Sequence, residues 1–318
     1  MKLVMFDDFR PGVLRDNYIV DVTSVVNSIQ VSNPKRLMTA IIANFDSLRP
    51  AFERLSTEQK GVPITAVKLR APNPRPPKIL CGFANYFEPR TTFVGAALRL
   101  EAPPARGKRD PQDMFLKSIE CVSGDGDTVE LPPQKAVIFE HEAELGIVIA
   151  QRCKDLPATK EAQDVIFGYT GFVDISGRGL GPAGTNSRMG KSFEGFGPMG
   201  PCITTKDEIP NPNNLDIKFW VNDVLRQDYN TNTMQYPVPD ILSFATSYMT
   251  LLPGDFLCCG TYHMDLGPLQ DGDCAVMELE KVGRFSFSVK DPLKRSWPAE
   301  TRRQRAEREA QAGLAGGN

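Results

Sequence analysis

One stretch restricts the possible folds more than any other. Residues 139–150 read Phe139-Glu140-His141-Glu142-Ala143-Glu144-Leu145-Gly146-Ile147-Val148-Ile149-Ala150. Ala143, Leu145, Ile147 and Ile149 alternate on one face, which is the period of a pleated strand. The other face carries Glu142, Glu144, Gly146 and Val148, so two carboxylates point the same way, roughly 7 Å apart along the strand. Like charges beside a buried apolar row repel unless something positive sits between them. A hard divalent cation (Mg²⁺, Mn²⁺ or Ca²⁺) suits carboxylate oxygens in that role. The same spacing also suits a solvated strand face with surface acids, because two glutamates one residue apart are common.

The rest of the chain narrows the class. Its 318 residues suffice for one large or two modest domains, and 41% apolar with 24% charged residues is ordinary for a globular enzyme. A net charge of −2 gives no electrostatic case for nucleic acid or an anionic membrane. Seven cysteines lack CxxC spacing and read as reduced thiols, which points to the cytoplasm. No early apolar run resembles a signal peptide, and none reaches membrane-spanning length. With only two histidines, His141 and His263, few imidazole bases are possible.

Periodicity places strands at 2–6 and 18–23 and a helix from Pro34, striped by Leu37, Ile41, Ile42 and Phe45 and continued after a possible break by Leu48, Phe52 and Leu55. Prolines crowded between 62 and 77 mark a boundary between a small N-terminal α/β domain (1–75) and the main domain (76–297). Strands follow at 78–83 and 114–117. Between them, residues 88–111 read as a short amphipathic turn and a Pro/Gly/Arg loop, suited to a mobile flap over a site or to an exposed surface loop. A short helix is expected at 159–166, and a strand at 168–175 with Asp174 near its end. Residues 177–200 are glycine-rich. Asn222-Asp223 signals a hairpin between strands 215–221 and 224–226. A helix at 239–251 and strands at 256–261, 274–279 and 284–289 complete the domain. Asp255 and Asp271-Gly272-Asp273 read as turn formers. Residues 298–318 are charged and unstriped, and read as a frayed helix or disordered tail.

An ordered series then stands out: Glu142-Ala143-Glu144-Leu145, Gly168-Tyr169-Thr170-Gly171-Phe172-Val173-Asp174-Ile175-Ser176-Gly177-Arg178, Gly190-Lys191-Ser192-Phe193, Pro198-Met199-Gly200-Pro201, Gln227, Asn230-Thr231, Met234, Leu252-Pro253-Gly254-Asp255 and Gly260-Thr261. This series resembles the fumarylacetoacetate hydrolase superfamily. The resemblance implies an α+β, mostly β fold, with a mixed β-roll catalytic domain in a homodimer. It implies Mg²⁺ (or Mn²⁺ or Ca²⁺) on Glu142, Glu144 and Asp174, and a small 2-oxo acid or 1,3-diketo acid such as an acylpyruvate as substrate. Lys191 matches the family's active-site lysine and Thr261 a substrate-contacting position. Arg178 is open between a site contact and a structural ion pair, and Lys117 between a substrate contact and a salt bridge.

One family element is missing. The usual flap pattern N-Y-x-x-H-x-x-E supplies a His/Glu pair that activates water, but Pro89 and Thr92 stand at those positions after Asn85-Tyr86. His141 precedes the first metal ligand and by strand alternation points away from Glu142. Three readings stay open. Hydrolysis persists with a replacement base, namely Glu88 or Glu101 from the flap or His263 from the facing loop. Alternatively the metal and Lys191 serve an isomerase, tautomerase or decarboxylase that needs no activated water. The third is a non-catalytic binding protein.

Overall fold

The computed structural model describes residues 1–94, 97–101 and 108–315. Among them, one 12-stranded sheet is the largest. Its centre is the strand Ala143–Ile149, antiparallel to Ile166–Val173 on one side and to Phe256–Cys258 on the other. Ile79–Phe83 adds in parallel to Phe256–Cys258, and Asp113–Lys117 closes that edge. In the other direction Gly197–Thr205 pairs with Ile166–Val173, and Lys2–Phe6 pairs with Gly197–Thr205. The N-terminal strands Lys2–Phe6, Arg10–Arg15 and Tyr18–Asp21 thereby continue the sheet of the later residues. A 5-stranded sheet (Thr128–Glu130, Gly283–Lys290, Cys274–Leu279, Asp216–Val221, Val224–Asn230) packs against it.

Every residue of Ala143–Ile149 is buried, on both faces. The solvated-face alternative for its acids therefore does not hold: Glu142 and Glu144 lie inside the protein. Space on the acid face comes from Gly146. A Cβ there would stand 2.3 Å from the Phe256 ring, so only glycine lets that ring lie across the strand.

Other expectations shift in detail. The helix from Pro34 is two helices, Leu37–Ala43 and Phe45–Glu58, broken at Asn44. The helix expected at 159–166 is a 3-10 turn, Lys160–Val165. The strand expected at 256–261 stops at Cys258, since Gly260 turns the chain at φ +83°. Val224 begins a strand that runs to Asn230, and Asn222 and Asp223 take the positive φ angles (+50° and +63°) of a tight hairpin turn. The amphipathic turn expected in the flap is instead a hairpin of Arg90–Val94 with Ala97–Glu101; β-branched Thr91, Thr92 and Val94 favour that extended form. The flap's remaining positions, 95–96 and 102–107, and the side chain of Glu101 lie outside the described residues. Residues 302–315 form an ordered helix, with Thr301 and Arg302 buried at its start. All seven cysteines are free thiols, and Cys258 and Cys259 are buried. Among the described residues no helix is long and apolar enough to cross a membrane.

Candidate metal centre

Strand geometry brings the three acids together. Glu144 sits on Ala143–Ile149 opposite Phe172, and Glu142 immediately precedes that strand. Asp174 follows the neighbouring strand, and its backbone N–H donates to the Glu142 carbonyl at 2.8 Å. One oxygen of each of Glu142, Glu144 and Asp174 lies within 4.8 Å of the others, and all three residues are buried.

Cations surround the trio unevenly. Lys191, from the 3-10 turn Arg188–Lys191, places Nζ 2.6 Å from Glu142 Oε2 and 2.7 Å from Asp174 Oδ2. Lys117, on the edge strand, donates to Asp174 Oδ1 at 2.6 Å and to the Lys191 carbonyl. Arg178 donates to Glu140 at 2.7 Å and also to Glu142 Oε1. Burial pushes Glu142 up, but Lys191 and Arg178 outweigh it and hold this carboxyl well below the usual range. Burial lowers Lys117 and Lys191, yet Asp174 beside both amines raises each above its ordinary value. Glu144 has no cationic partner among the described residues, only the Gly260 N–H at 2.7 Å. Burial, then repulsion from Asp174 and Glu142, pushes it well above its ordinary value.

The cations thus crowd onto Glu142 and Asp174 and leave Glu144 without one. A carboxylate has about four acceptor directions, so even an ion pair on each oxygen leaves others to bind. Three hard oxygen donors with one side under-neutralised fit a divalent cation.

Other residues hold this frame. Gln227 was one position in the motif series with no role attached. It links three segments, through His141 Nδ1 (2.9 Å), the Ala143 N–H (3.1 Å) and the Thr261 hydroxyl (2.8 Å). Tyr229 donates to the Ala143 carbonyl. His141 stacks on Phe219 at 4.4 Å, and burial lowers it to about 4, so its ring is neutral and structural. The Tyr86 ring packs edge-on against Tyr229, with centroids 5.0 Å apart.

Glu88 and His263, expected as alternatives, are one unit. Glu88 Oε1 lies 2.6 Å from His263 Nδ1, and Oε2 accepts from the backbone N–H groups of His263 and Met264 at 2.5 and 3.1 Å. The pair sits on the loop that adjoins the trio: His263 follows Gly260, whose N–H binds Glu144, by three residues. Asn85 anchors the start of the flap by donating to the Cys259 carbonyl at 2.8 Å and accepting from the Tyr236 N–H at 2.9 Å. Asp255 and Asp273 accept backbone N–H groups three residues back, as turn formers do.

Residues 78–290 match the family model described as Fumarylacetoacetate (FAA) hydrolase C-terminal. The chain belongs to the fumarylacetoacetate hydrolase family. Its β-rich fold agrees with solved members. The crystal structure of maleylpyruvate hydrolase from Sphingobium sp. SYK-6, in complex with manganese(II) and pyruvate, is 32% identical. That match covers 92% of this chain and 99% of the other, with a TM-score of 0.77. A maleylpyruvate hydrolase of Aquipseudomonas alcaligenes is 28% identical over 292 residues, covering 91% of this chain and 99% of the relative. The mitochondrial oxaloacetate tautomerase FAHD2B of Bos taurus is 29% identical, covering 81% of each chain.

Proposed function

We propose that this protein is a divalent-metal-dependent hydrolase that cleaves the carbon–carbon bond of an acylpyruvate, with maleylpyruvate the first candidate. The observation that carries the reading is the Glu88–His263 pair beside the three carboxylates. It supplies a histidine base oriented by a carboxylate where the family's flap pattern has lost its own. The similarity to two maleylpyruvate hydrolases over nearly the whole chain supports the substrate class.

Glu142, Glu144 and Asp174 would hold Mg²⁺ or Mn²⁺. Such an ion supplies Lewis-acid stabilisation of the negative charge that builds on the oxo-acid oxygens. Glu88 keeps the proton on His263 Nδ1, so Nε2 presents its lone pair. His263 then takes a proton from water as the water oxygen bonds to the acyl carbonyl carbon. When the bond between that carbon and the pyruvate methylene breaks, its electron pair leaves with the pyruvate fragment as an enolate. The proton on His263 passes to the former methylene carbon of that enolate, giving pyruvate and a carboxylic acid. The Lys191 ammonium stands beside the developing charge. The Thr261 hydroxyl, oriented by Gln227, offers a hydrogen bond to a substrate oxygen.

A tautomerase is the second reading, favoured by the oxaloacetate tautomerase relative. His263 could equally move a proton between carbon and oxygen. The test is product analysis after incubation with maleylpyruvate and Mn²⁺. Pyruvate and maleate in equal amounts support cleavage. Fast enol–keto equilibration of oxaloacetate, with no cleavage of any acylpyruvate, would replace this reading with the second.

A further inference from the structure

The helix Arg302–Ala315 begins on the site rather than away from it. Thr301 and Gln304 cap it reciprocally: the Thr301 N–H donates to Gln304 Oε1 at 2.8 Å, and the Gln304 N–H to Thr301 Oγ1 at 3.3 Å. This cap aims two consecutive arginines in different directions.

Arg302 is buried and forks onto Glu140, with Nε 2.8 Å from Oε1 and Nη2 2.5 Å from Oε2. Glu140 also accepts from Arg178, whose other arm reaches Glu142. A continuous buried line, Arg302–Glu140–Arg178–Glu142, therefore runs from the C-terminal helix to the trio.

Arg303 turns the other way, bonding Asp265 at 3.1 Å and the Tyr262 hydroxyl at 3.2 Å. The Arg302 N–H donates to the Leu266 carbonyl at 2.8 Å. Residues 262–266, which carry His263, are thus gripped from both ends by the helix start. Just before the helix, Trp297 donates to the Val137 carbonyl at 2.6 Å and packs with Leu98 of the flap hairpin and Ile138.

We propose, building on the metal-site reading above, that the C-terminal segment is a clasp belonging to the catalytic apparatus. Arg302 and Arg303 are its positioning residues. Arg302 sets Glu142 through Glu140 and Arg178; Arg303 sets the turn bearing His263. One short segment thereby fixes the separation between the carboxylate trio and the base. Without Arg302, buried Glu140 draws both arms of Arg178 to itself and leaves Glu142 held by Lys191 alone. Partners one step behind metal ligands commonly change metal affinity by 10–100-fold.

The test uses full-length Arg302→Ala, Arg303→Ala and Arg308→Ala. The last loses only surface pairs, with Glu300 just before the helix and with Glu309 on it. Mn²⁺ alone is titrated by calorimetry, and amide hydrogen exchange is followed at His263 and Met264. Arg302→Ala should weaken Mn²⁺ binding about 10–100-fold. Arg303→Ala should leave it within about twofold but speed exchange at both amides by about tenfold or more. Arg308→Ala should change neither. Should Arg302→Ala not fold, Arg302→Lys keeps the charge without the fork and should still weaken Mn²⁺ binding. Wild-type Mn²⁺ affinity in both Arg302 variants, unchanged exchange in Arg303→Ala, or both effects reproduced by Arg308→Ala would each overturn the clasp. Neither readout needs substrate, so a chain without turnover would sink the hydrolase reading and leave this one standing or falling by itself.

Discussion

At the scale of single residues, function divides between groups that hold charge and one pair that moves a proton. Glu88→Gln and His263→Asn should each lower kcat by about 10²–10⁴-fold, the usual worth of a positioned base. Mn²⁺ affinity should stay near wild type, since neither side chain belongs to the carboxylate trio; steady-state kinetics beside Mn²⁺ calorimetry check the split. His141 makes an opposite kind of prediction. It is buried and lowered to about 4 from an ordinary 6.5, so the unfolded chain binds its proton first as pH falls. Its contribution to stability is complete above pH 6.5 and is lost as pH falls towards 4. Between pH 7 and 5 the loss is about 2 kcal/mol from this residue. A cation at the neighbouring acids would push His141 the same way. Urea midpoints at the two pH values should converge in His141→Gln relative to wild type.

At the scale of elements, the acid strand depends on what crosses it. Phe256 occupies the space a side chain at 146 would need. Gly146→Ala should therefore cost about 1–3 kcal/mol by overpacking, read as a lower urea midpoint. It should also weaken Mn²⁺ binding, because Glu144 is two residues away on the same face. The strand Gly197–Thr205 shows how an element can hide from pattern reading. Pro198 and Pro201 argue against a central strand, yet it pairs with Ile166–Val173 across an irregular register, where proline is tolerated. The C-terminal helix was among the expected alternatives, but its order hid for another reason. It has no apolar stripe to bury, and its order comes from the Thr301–Gln304 cap, the Arg305–Glu309 pair at 2.9 Å and the anchoring of Arg302. The sequence Thr301-Arg302-Arg303-Gln304 does carry a capping-box pattern, the one signal that could have found it.

At the scale of the whole molecule, one sheet ties the N-terminal strands to the acid strand, and the cation deficit at Glu144 sits near its centre. Ligands that bind only the folded state stabilise it by mass action. Mn²⁺ at 100 times its Kd should thus add about 2.7 kcal/mol to wild-type stability. A chelator should remove that gain, and Glu144→Gln or Asp174→Asn should never show it. Thermal unfolding with and without Mn²⁺ measures all three.

The local physics of the chain determined the acid strand with Glu144 on it and Glu142 just before it, the Asn222-Asp223 hairpin and the break between the two N-terminal helices, while the ordered motifs, through the family resemblance, added Asp174 to the suspected metal ligands. Alternation, turn chemistry and motif order act over a few residues, so a single sequence can display them. Tertiary structure alone decided that both faces of the acid strand are buried, and that Glu88 and His263, 175 residues apart, make one pair. It also decided that a helix with no apolar face starts on the line of charge leading to Glu142. Those outcomes depend on which distant segments meet and on how buried charges are shared among them, and no spacing along the chain encodes such meetings.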